Sequence, residues 1–545
     1  MEMQFRRLLN LFVVLFVIVS IVLVYWQVIW PTSPASAGQD QNNYLTYKPC
    51  VAAETPQRGN IYDRNGVLLA WSEPDQNSPC GWRRRYATDK HPSIGAFMGY
   101  YSPIYGASGI EGYYNEQLSG NVPPTDFNAA TNQYWNQILH KPIRGQNLYL
   151  SIDIRIQDKL DANFENDFST AQLCDKHQTG SAIIEDPHTG QMLAMDSRPY
   201  FNGDTIGDTT PAQDDATKTV GQEYWQQIST DSCAPLISRS VQGQYPPGSI
   251  FKTLTLIAAL DSGQYTAGST FTQDEATSAT IGGELFNTNN LDAYSLSVEK
   301  PSFPMDLAHA YAYSDNVVFA RVGAQLGKDT WLNYAQRFLM STPGNIQPAP
   351  IDYQGALPSY AYTHDTPTCP AFCLTQLAAS AFGQGQLFLT PMTMSMITSA
   401  VAADGMLYAP RLALKIVPDG IDPNTVPNNA PVQLGNGPIF SAQTAQYIRK
   451  AMKDVVQFGS IQSSGPNWSP VYTSPNNIGG KTGTGQTSLA HPDVWFMSLA
   501  PDDAYANSSA AKLSIVVMKE QGTEGAYESF VAQQMYDFAL PLVGH

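Results

Sequence analysis

Residues 8–30 form a run of 23 residues without a single charge, most of them Leu, Val, Ile or Phe. About 20 such residues cross the hydrocarbon core of a bilayer as a helix, because only internal hydrogen bonds satisfy a backbone there. Arg6 and Arg7 precede the run and Pro31 closes it. Basic residues stay on the cytoplasmic side, so the N-terminus is expected inside and the rest of the chain outside. Tyr25, Trp26 and Trp30 suit the outer interface. Ala35-Ser36-Ala37 has the small-x-small form of a cleavage site, so a cleaved leader is the alternative. The apolar core exceeds the roughly 7–15 residues of a signal peptide, which favours an uncleaved anchor. No second run of comparable length follows, and a single-pass cell-membrane protein is expected.

The compartment changes how the rest is read. The six cysteines, Cys50, Cys80, Cys174, Cys233, Cys369 and Cys373, would face an oxidising space, where disulfides form. Pairing of neighbours (Cys50–Cys80, Cys174–Cys233, Cys369–Cys373) is one of 15 possibilities. A zinc site of Cys369, Cys373 and His364 is a second reading, weakened by the lack of a second ligand pair. With 47 acidic against 30 basic residues the net charge is −17. Nucleic acid is therefore not an expected partner, since binding it requires clustered basic surface. A chain of 545 residues is long enough for two or three domains.

Residues 31–43 are rich in Pro, Ser and Gln and read as a linker. Asn65-Gly66 between short apolar runs predicts a hairpin turn, since both residues tolerate positive φ. Leu148, Leu150 and Ile152 alternate as on a strand. Residues 182–185 and 192–195 flank Pro187-His188-Thr189-Gly190 and predict strand, turn and strand. Residues 494–499 and 513–518 read as two late strands. Ala532, Met535, Tyr536, Ala539 and Leu540 follow helical spacing. Strands early and late with apolar helices between them predict an α+β chain with one antiparallel sheet covered by helices. The polar stretches 204–230 and 418–436 read as loops.

Three constellations carry chemistry. The first is Tyr245-Pro246-Pro247-Gly248-Ser249-Ile250-Phe251-Lys252. A helix beginning at or near Ser249 and apolar nearly all round should be buried, with Lys252 beside Ser249 on one face. An apolar setting lowers the proton affinity of a lysine, so Lys252 can accept the serine proton. Alone, S-x-x-K is also an ordinary helix cap followed by a lysine. The second is Tyr313-Ser314-Asp315-Asn316, which alone is best read as a cap. The third is Gly479-Gly480-Lys481-Thr482-Gly483-Thr484-Gly485. A phosphate loop would need Gly where Pro475 stands, so that reading fails. A strand edge is the better reading: Gly483 lets a substrate backbone approach, and Lys481 and Thr482 can bind a carboxylate.

Together, in this order, S-x-x-K, S-x-N and K-T-G are the signature set of the serine β-lactamases and penicillin-binding proteins. The chain resembles the class B (monofunctional) penicillin-binding proteins. Further elements are Arg58-Gly59-x-Ile61-x-Asp63-Arg64-Asn65-Gly66, Gly109-x-Glu111, Asp186-Pro187-x-Thr189-Gly190, Gly383-Gln384-Gly385 and Trp495-Phe496. The stretch 99–106 is most similar to the actinobacterial elongation-type branch.

The resemblance implies a transpeptidase-like catalytic domain at 171–545, with a five-stranded antiparallel sheet flanked by helices plus an all-α subdomain. It implies a mixed, β-rich pedestal at 45–170 of the dimerisation type, after the anchor (1–30) and linker (31–44). It implies that Ser249 is the nucleophile, Lys252 the general base, Ser314 a proton relay and Asn316 a substrate ligand. Lys481, Thr482, Gly483 and Thr484 would line the carboxylate site, and the backbone N–H groups of Ser249 and Thr484 the oxyanion hole. The expected substrates are peptidoglycan stem peptides: D-Ala-D-Ala donors and amine acceptors. β-Lactams would acylate the same serine, no metal or cofactor is expected, and a SEDS-type glycosyltransferase is the implied partner.

A β-lactamase would need a water-activating Glu, and none is identifiable. A D,D-carboxypeptidase would use water instead of the acceptor amine and is compatible with the motifs. A non-catalytic sensor or scaffold would be expected to carry a cytoplasmic signalling part, and seven residues precede the apolar run.

Overall fold

The computed structural model describes residues 57–123 (except 77, 79 and 80), 144–165, 179–287 (except 216), 301–462, 470–502 and 511–543 (except 524). It also describes the isolated positions 16, 19, 131 and 135. The expected anchor and linker, and Cys50, Cys80 and Cys174, lie outside these residues. Among the described residues no helix is long and apolar enough to cross a membrane.

Ten strands build the two main sheets: β1 (Ile61–Tyr62), β2 (Leu68–Pro74), β3 (Trp82–Tyr86), β4 (Asn147–Leu150), β5 (Gly180–Asp186), β6 (Gln191–Arg198), β7 (Ala413–Val417), β8 (Gly479–Gly485), β9 (Asp493–Ala500) and β10 (Leu513–Lys519). The helices used below are α1 (Ile154–Glu165), α2 (Lys252–Asp261), α3 (Leu307–Ala312), α4 (Asn316–Leu326), α5 (Leu374–Ala381), α6 (Pro391–Ala402), α7 (Ala442–Gln457) and α8 (Glu528–Val543).

The larger sheet has the order β8-β9-β10-β5-β6 and every pair is antiparallel. All residues of β9 and β10 are buried, on both faces. Helices α1 and α8 cover one face, while α6 and α7 cover the other. That burial explains why residues 494–499 and 513–518 are almost continuously apolar instead of alternating. The helix-rich part, including α2 to α5, stands beside the β8 edge.

The smaller sheet, β7-β4-β1-β2-β3, is mixed: β1 and β4 run parallel and the other pairs antiparallel. Its β1–β2 hairpin turns at Asn65-Gly66, where Gly66 has φ +84°. Buried Asp63 accepts hydrogen bonds from the backbone of Asn65 and Val67, both at 2.8 Å, which clamps the turn. Leu148, Leu150 and Ile152 are buried, as their alternation predicts. Strand β7 comes from the 171–545 part of the chain, so the two parts share this sheet. Asp352 adds a second tie: it accepts from the Tyr114 hydroxyl at 2.7 Å and from the backbone of Leu412 and Ala413 at 2.6 and 2.7 Å.

One expectation is corrected, and the Cys369–Cys373 pairing expected among the disulfides is present. The stretch 204–230 is not a loop throughout, since it contains the helix Val220–Ser229, begun by a Thr219/Gln222 capping box. Its apolar anchors are few but aromatic: Trp225 stacks on Tyr105 at 4.3 Å and meets Tyr100 edge-on. Cys369 and Cys373 are disulfide-bonded to each other, which leaves no thiolate for the zinc alternative. Cys233 is also disulfide-bonded.

Three residues from separate elements meet inside the smaller sheet's flank. Glu111 is fully buried between Arg58 (2.6 Å) and Arg84 (2.5 Å). Burial alone would raise the Glu111 pKa, but the two guanidinium groups override it and hold the carboxyl below its usual range. Removing the shared anion strands two buried cations. Glu111→Ala is therefore expected to lose about 3–5 kcal/mol of stability, measured by denaturant unfolding of the purified chain; a loss under about 1 kcal/mol would show that the cluster is not structural.

Candidate active site

The Ser249 segment is built by close backbone contact. Pro246-Pro247 leads into one 3-10 turn (Gly248–Phe251), and the regular helix begins at Lys252, slightly later than the sequence predicts. Gly248 has φ +59°, and a Cβ there would sit 2.4 Å from the Thr484 carbonyl carbon. Any side chain at 248 would therefore push the serine turn off β8. The leading segment is tied down as well: the Trp495 indole donates to the Pro246 carbonyl at 3.1 Å, and the Tyr245 hydroxyl donates to Glu520 at 2.7 Å.

Helix α2 buries Lys252 completely. Its Nζ lies 2.6 Å from Ser249 Oγ, 2.7 Å from Asn316 Oδ1 and 3.4 Å from Ser314 Oγ. Between α3 and α4 the chain reverses through Ser314 at φ +62°, a conformation a non-glycine residue adopts at some cost. Asp315 then caps α4 through the Val318 N–H at 2.9 Å. The reversal aims Ser314 Oγ between two ammonium groups, with Lys481 Nζ at 3.0 Å.

Lys481, on β8, is also fully buried. Edge strand β8 pairs with β9 on one side, and Lys481 is opposite Met497 in the register. Thr482 shares a 2.8 Å hydrogen bond with Ser460, and Thr484 is exposed towards the cleft. A Cβ on Gly483 would meet the Pro247 carbonyl at 2.7 Å. Here the glycine is needed for packing against the serine segment, in addition to the open substrate approach expected from the sequence.

Burial decides the electrostatics. It lowers the Lys252 pKa well below the ordinary lysine value, with repulsion from Lys481 adding to it and Asp315 partly offsetting it. Burial lowers Lys481 to about 7. Two ammonium groups sharing one serine hydroxyl disfavour double protonation, so one lysine is readily neutral. A neutral amine 2.6 Å from Ser249 Oγ is a proton acceptor in reach of a nucleophile.

The structure thus gathers Ser249, Lys252, Ser314, Asn316 and Lys481 into one hydrogen-bonded cluster, and Thr482, Gly483 and Thr484 line its β8 wall. Sequence reasoning missed Ser460, because an isolated serine carries no pattern. It also missed what the Gly383-Gln384-Gly385 element does: Gly383 accepts from the Gly248 N–H at 3.0 Å, and Gln384 Nε2 donates to the Thr484 carbonyl at 3.2 Å. That element clamps the serine turn to the β8 wall.

Residues 180–538 match the penicillin binding protein transpeptidase domain, and residues 58–148 match the penicillin binding protein A dimerisation domain. The first match spans more than half of the chain, which therefore belongs to the penicillin-binding protein transpeptidase family. Among similar proteins, peptidoglycan D,D-transpeptidase PbpA of Mycolicibacterium smegmatis is 26% identical over 476 residues, covering 86% of this chain and 84% of the relative. PbpA of Mycobacterium tuberculosis is 25% identical over 497 residues, covering 89% of each chain. The fold is shared with penicillin-binding protein A from M. tuberculosis in its imipenem acyl-enzyme complex: TM-score 0.69 at 22% identity, over 90% of this chain and all of that one.

Two outcomes follow from the geometry. Because Lys481 depresses the proton affinity of Lys252, Lys481→Ala should raise it. The acidic limb of the β-lactam acylation rate against pH should then move to higher pH; a limb that stays put would separate the two lysines. Gly383 has φ +96°, and a Cβ there would stand 1.7 Å from the Gly248 carbonyl oxygen. Gly383→Ala is expected to slow acylation at least about tenfold, seen by stopped-flow with a chromogenic cephalosporin, with wild-type rates as the contrary result.

Proposed function

We propose that the chain cross-links peptidoglycan stem peptides as a serine D,D-transpeptidase, with Ser249 as the acylated residue. The observation that carries this reading is the 2.6 Å approach of a buried, deprotonation-prone Lys252 to Ser249 Oγ. Neutral Lys252 takes the Ser249 proton as Oγ attacks the carbonyl of the penultimate D-Ala. The developing oxyanion is held by the backbone N–H groups of Ser249 and Thr484. The proton passes through Ser314 to the leaving amine, and terminal D-Ala departs. Asn316 holds the substrate amide, and Lys481, Thr482 and Thr484 hold the terminal carboxylate. That carboxylate favours a charged Lys481, whose repulsion keeps Lys252 neutral; substrate binding and base activation are thereby linked. An acceptor amine then attacks the Ser249 ester, forming the cross-link and regenerating the serine.

β-Lactams present a strained amide to the same serine and leave it acylated. The similar M. tuberculosis enzyme is known as imipenem and penicillin G acyl-enzyme complexes, which supports the same inhibition here. The uncharged run at 8–30 after Arg6-Arg7 supports a membrane-anchored protein with its catalytic part outside. The dimerisation-domain match at 58–148 supports a pedestal role for that region, and with the family resemblance it supports a SEDS-type glycosyltransferase as partner.

Fluorescent penicillin labelling, followed by intact mass against time, tests the central claim. Wild type should form a long-lived adduct, and Ser249→Ala should reduce labelling by about three orders of magnitude or more. A labelled Ser249→Ala protein would remove Ser249 as the nucleophile. Rapid loss of the adduct would instead indicate a β-lactamase.

A further inference from the structure

A cavity of about 330 Å³ lies where the Asn65-Gly66 turn faces β7 and the loop after it. It shares no lining residue with the Ser249 cleft. Arg64, Asn65, Tyr149, Lys415, Asn424 and Asn428 supply its polar walls, and no carboxylate lines it.

Both cations lack an acidic partner among the described residues. Arg64 Nη2 reaches only Gln191 Oε1, at 3.4 Å, while Nη1 is sealed from bulk water and makes no hydrogen bond. Lys415 Nζ donates to the carbonyls of Pro423 and Val426, at 2.6 and 3.2 Å. Those partners fix the ammonium without neutralising it, and its third donor remains. The acid on that loop, Asp422, accepts from the Asn424 backbone at 2.9 Å; it does not line the cavity, although its charge is felt at the Tyr149 wall. Tyr149 stacks on Tyr62 at 4.8 Å, and Lys415 lies over the Tyr149 ring at 5.3 Å. The ring is thus a fixed wall, and recognition rests on charge and N–H donors. In a chain of net charge −17 such a concavity is an electrostatic exception.

We propose that this cavity binds a small ligand bearing a phosphate or carboxylate oxyanion. Its volume is at the lower end of small-molecule sites, about 300–1,000 Å³, so it suits a compact anionic group. Lys415 supplies a point charge with a donor to spare, and Arg64 adds a second positive charge to the same wall.

The test is calorimetric titration of the full-length chain in detergent at low ionic strength, once with inorganic pyrophosphate and once with citrate. Saturable binding is expected for at least one anion. It should weaken tenfold or more in Asn428→Asp, which puts a negative charge on an exposed loop, and in Lys415→Gln. Fluorescent penicillin labelling should be unchanged in both variants, showing that they are folded. Tighter binding of pyrophosphate would point to a phosphate-bearing ligand, and tighter binding of citrate to a carboxylate. No saturable binding of either anion, or wild-type affinity in both variants, would overturn the proposal.

Discussion

The structure depends on two lysines buried within reach of one serine hydroxyl. Lys252 and Lys481 both contact Ser314 Oγ, at 3.4 and 3.0 Å, and neither is solvated. Burying an ammonium is expensive, and burying two side by side is more so. The arrangement persists because each is given polar partners and because one can shed its proton. In the proposed mechanism that release serves the chemistry: the amine that holds its proton weakly lies 2.6 Å from the Ser249 hydroxyl.

Holding such a cluster requires rigid surroundings. Ser249 and Lys252 belong to one turn and the helix it starts, Ser314 and Asn316 to a strained reversal, and Lys481 to a sheet edge. The serine turn, the Gly383-Gln384-Gly385 element and β8 meet through close contacts at Gly248, Gly383 and Gly483, where a Cβ would collide with a carbonyl of the facing segment. The glycines act by removing atoms from the junctions, which lets the serine turn lie directly on β8. Behind them, helices on both faces of the five-stranded sheet exclude water, and the resulting low dielectric produces the lysine shifts.

The part of the chain that matches the dimerisation domain is integrated by the same logic on a smaller scale. Strand β7 crosses from the later part of the chain into the smaller sheet, Asp352 gathers donors from both parts, and Glu111 neutralises two arginines at once. Shared strands and buried ion clusters resist hinge motion better than an exposed linker does.

Much of this was legible in the amino-acid order. Period-two alternation placed β4, apolar runs placed β9 and β10, and Asn65-Gly66 placed the hairpin, because these signals are local and reflect backbone preference and burial. The three motifs named Ser249, Lys252, Ser314, Asn316 and Lys481 because each is short and contiguous. The helix Val220–Ser229 was hidden, since its stability comes from a capping box and from Trp225 packing on distant tyrosines. Ser460 beside Thr482, Gln384 beside Thr484 and the donation of β7 to the other sheet were likewise invisible. Sequence alone determined which side chains could do the chemistry and which segments would be strand or helix, since both follow from residue type and spacing. Only the tertiary structure decided which of them meet, how close the two lysines come and that both are dry, because proximity and dielectric are set by the packing of segments remote in the chain.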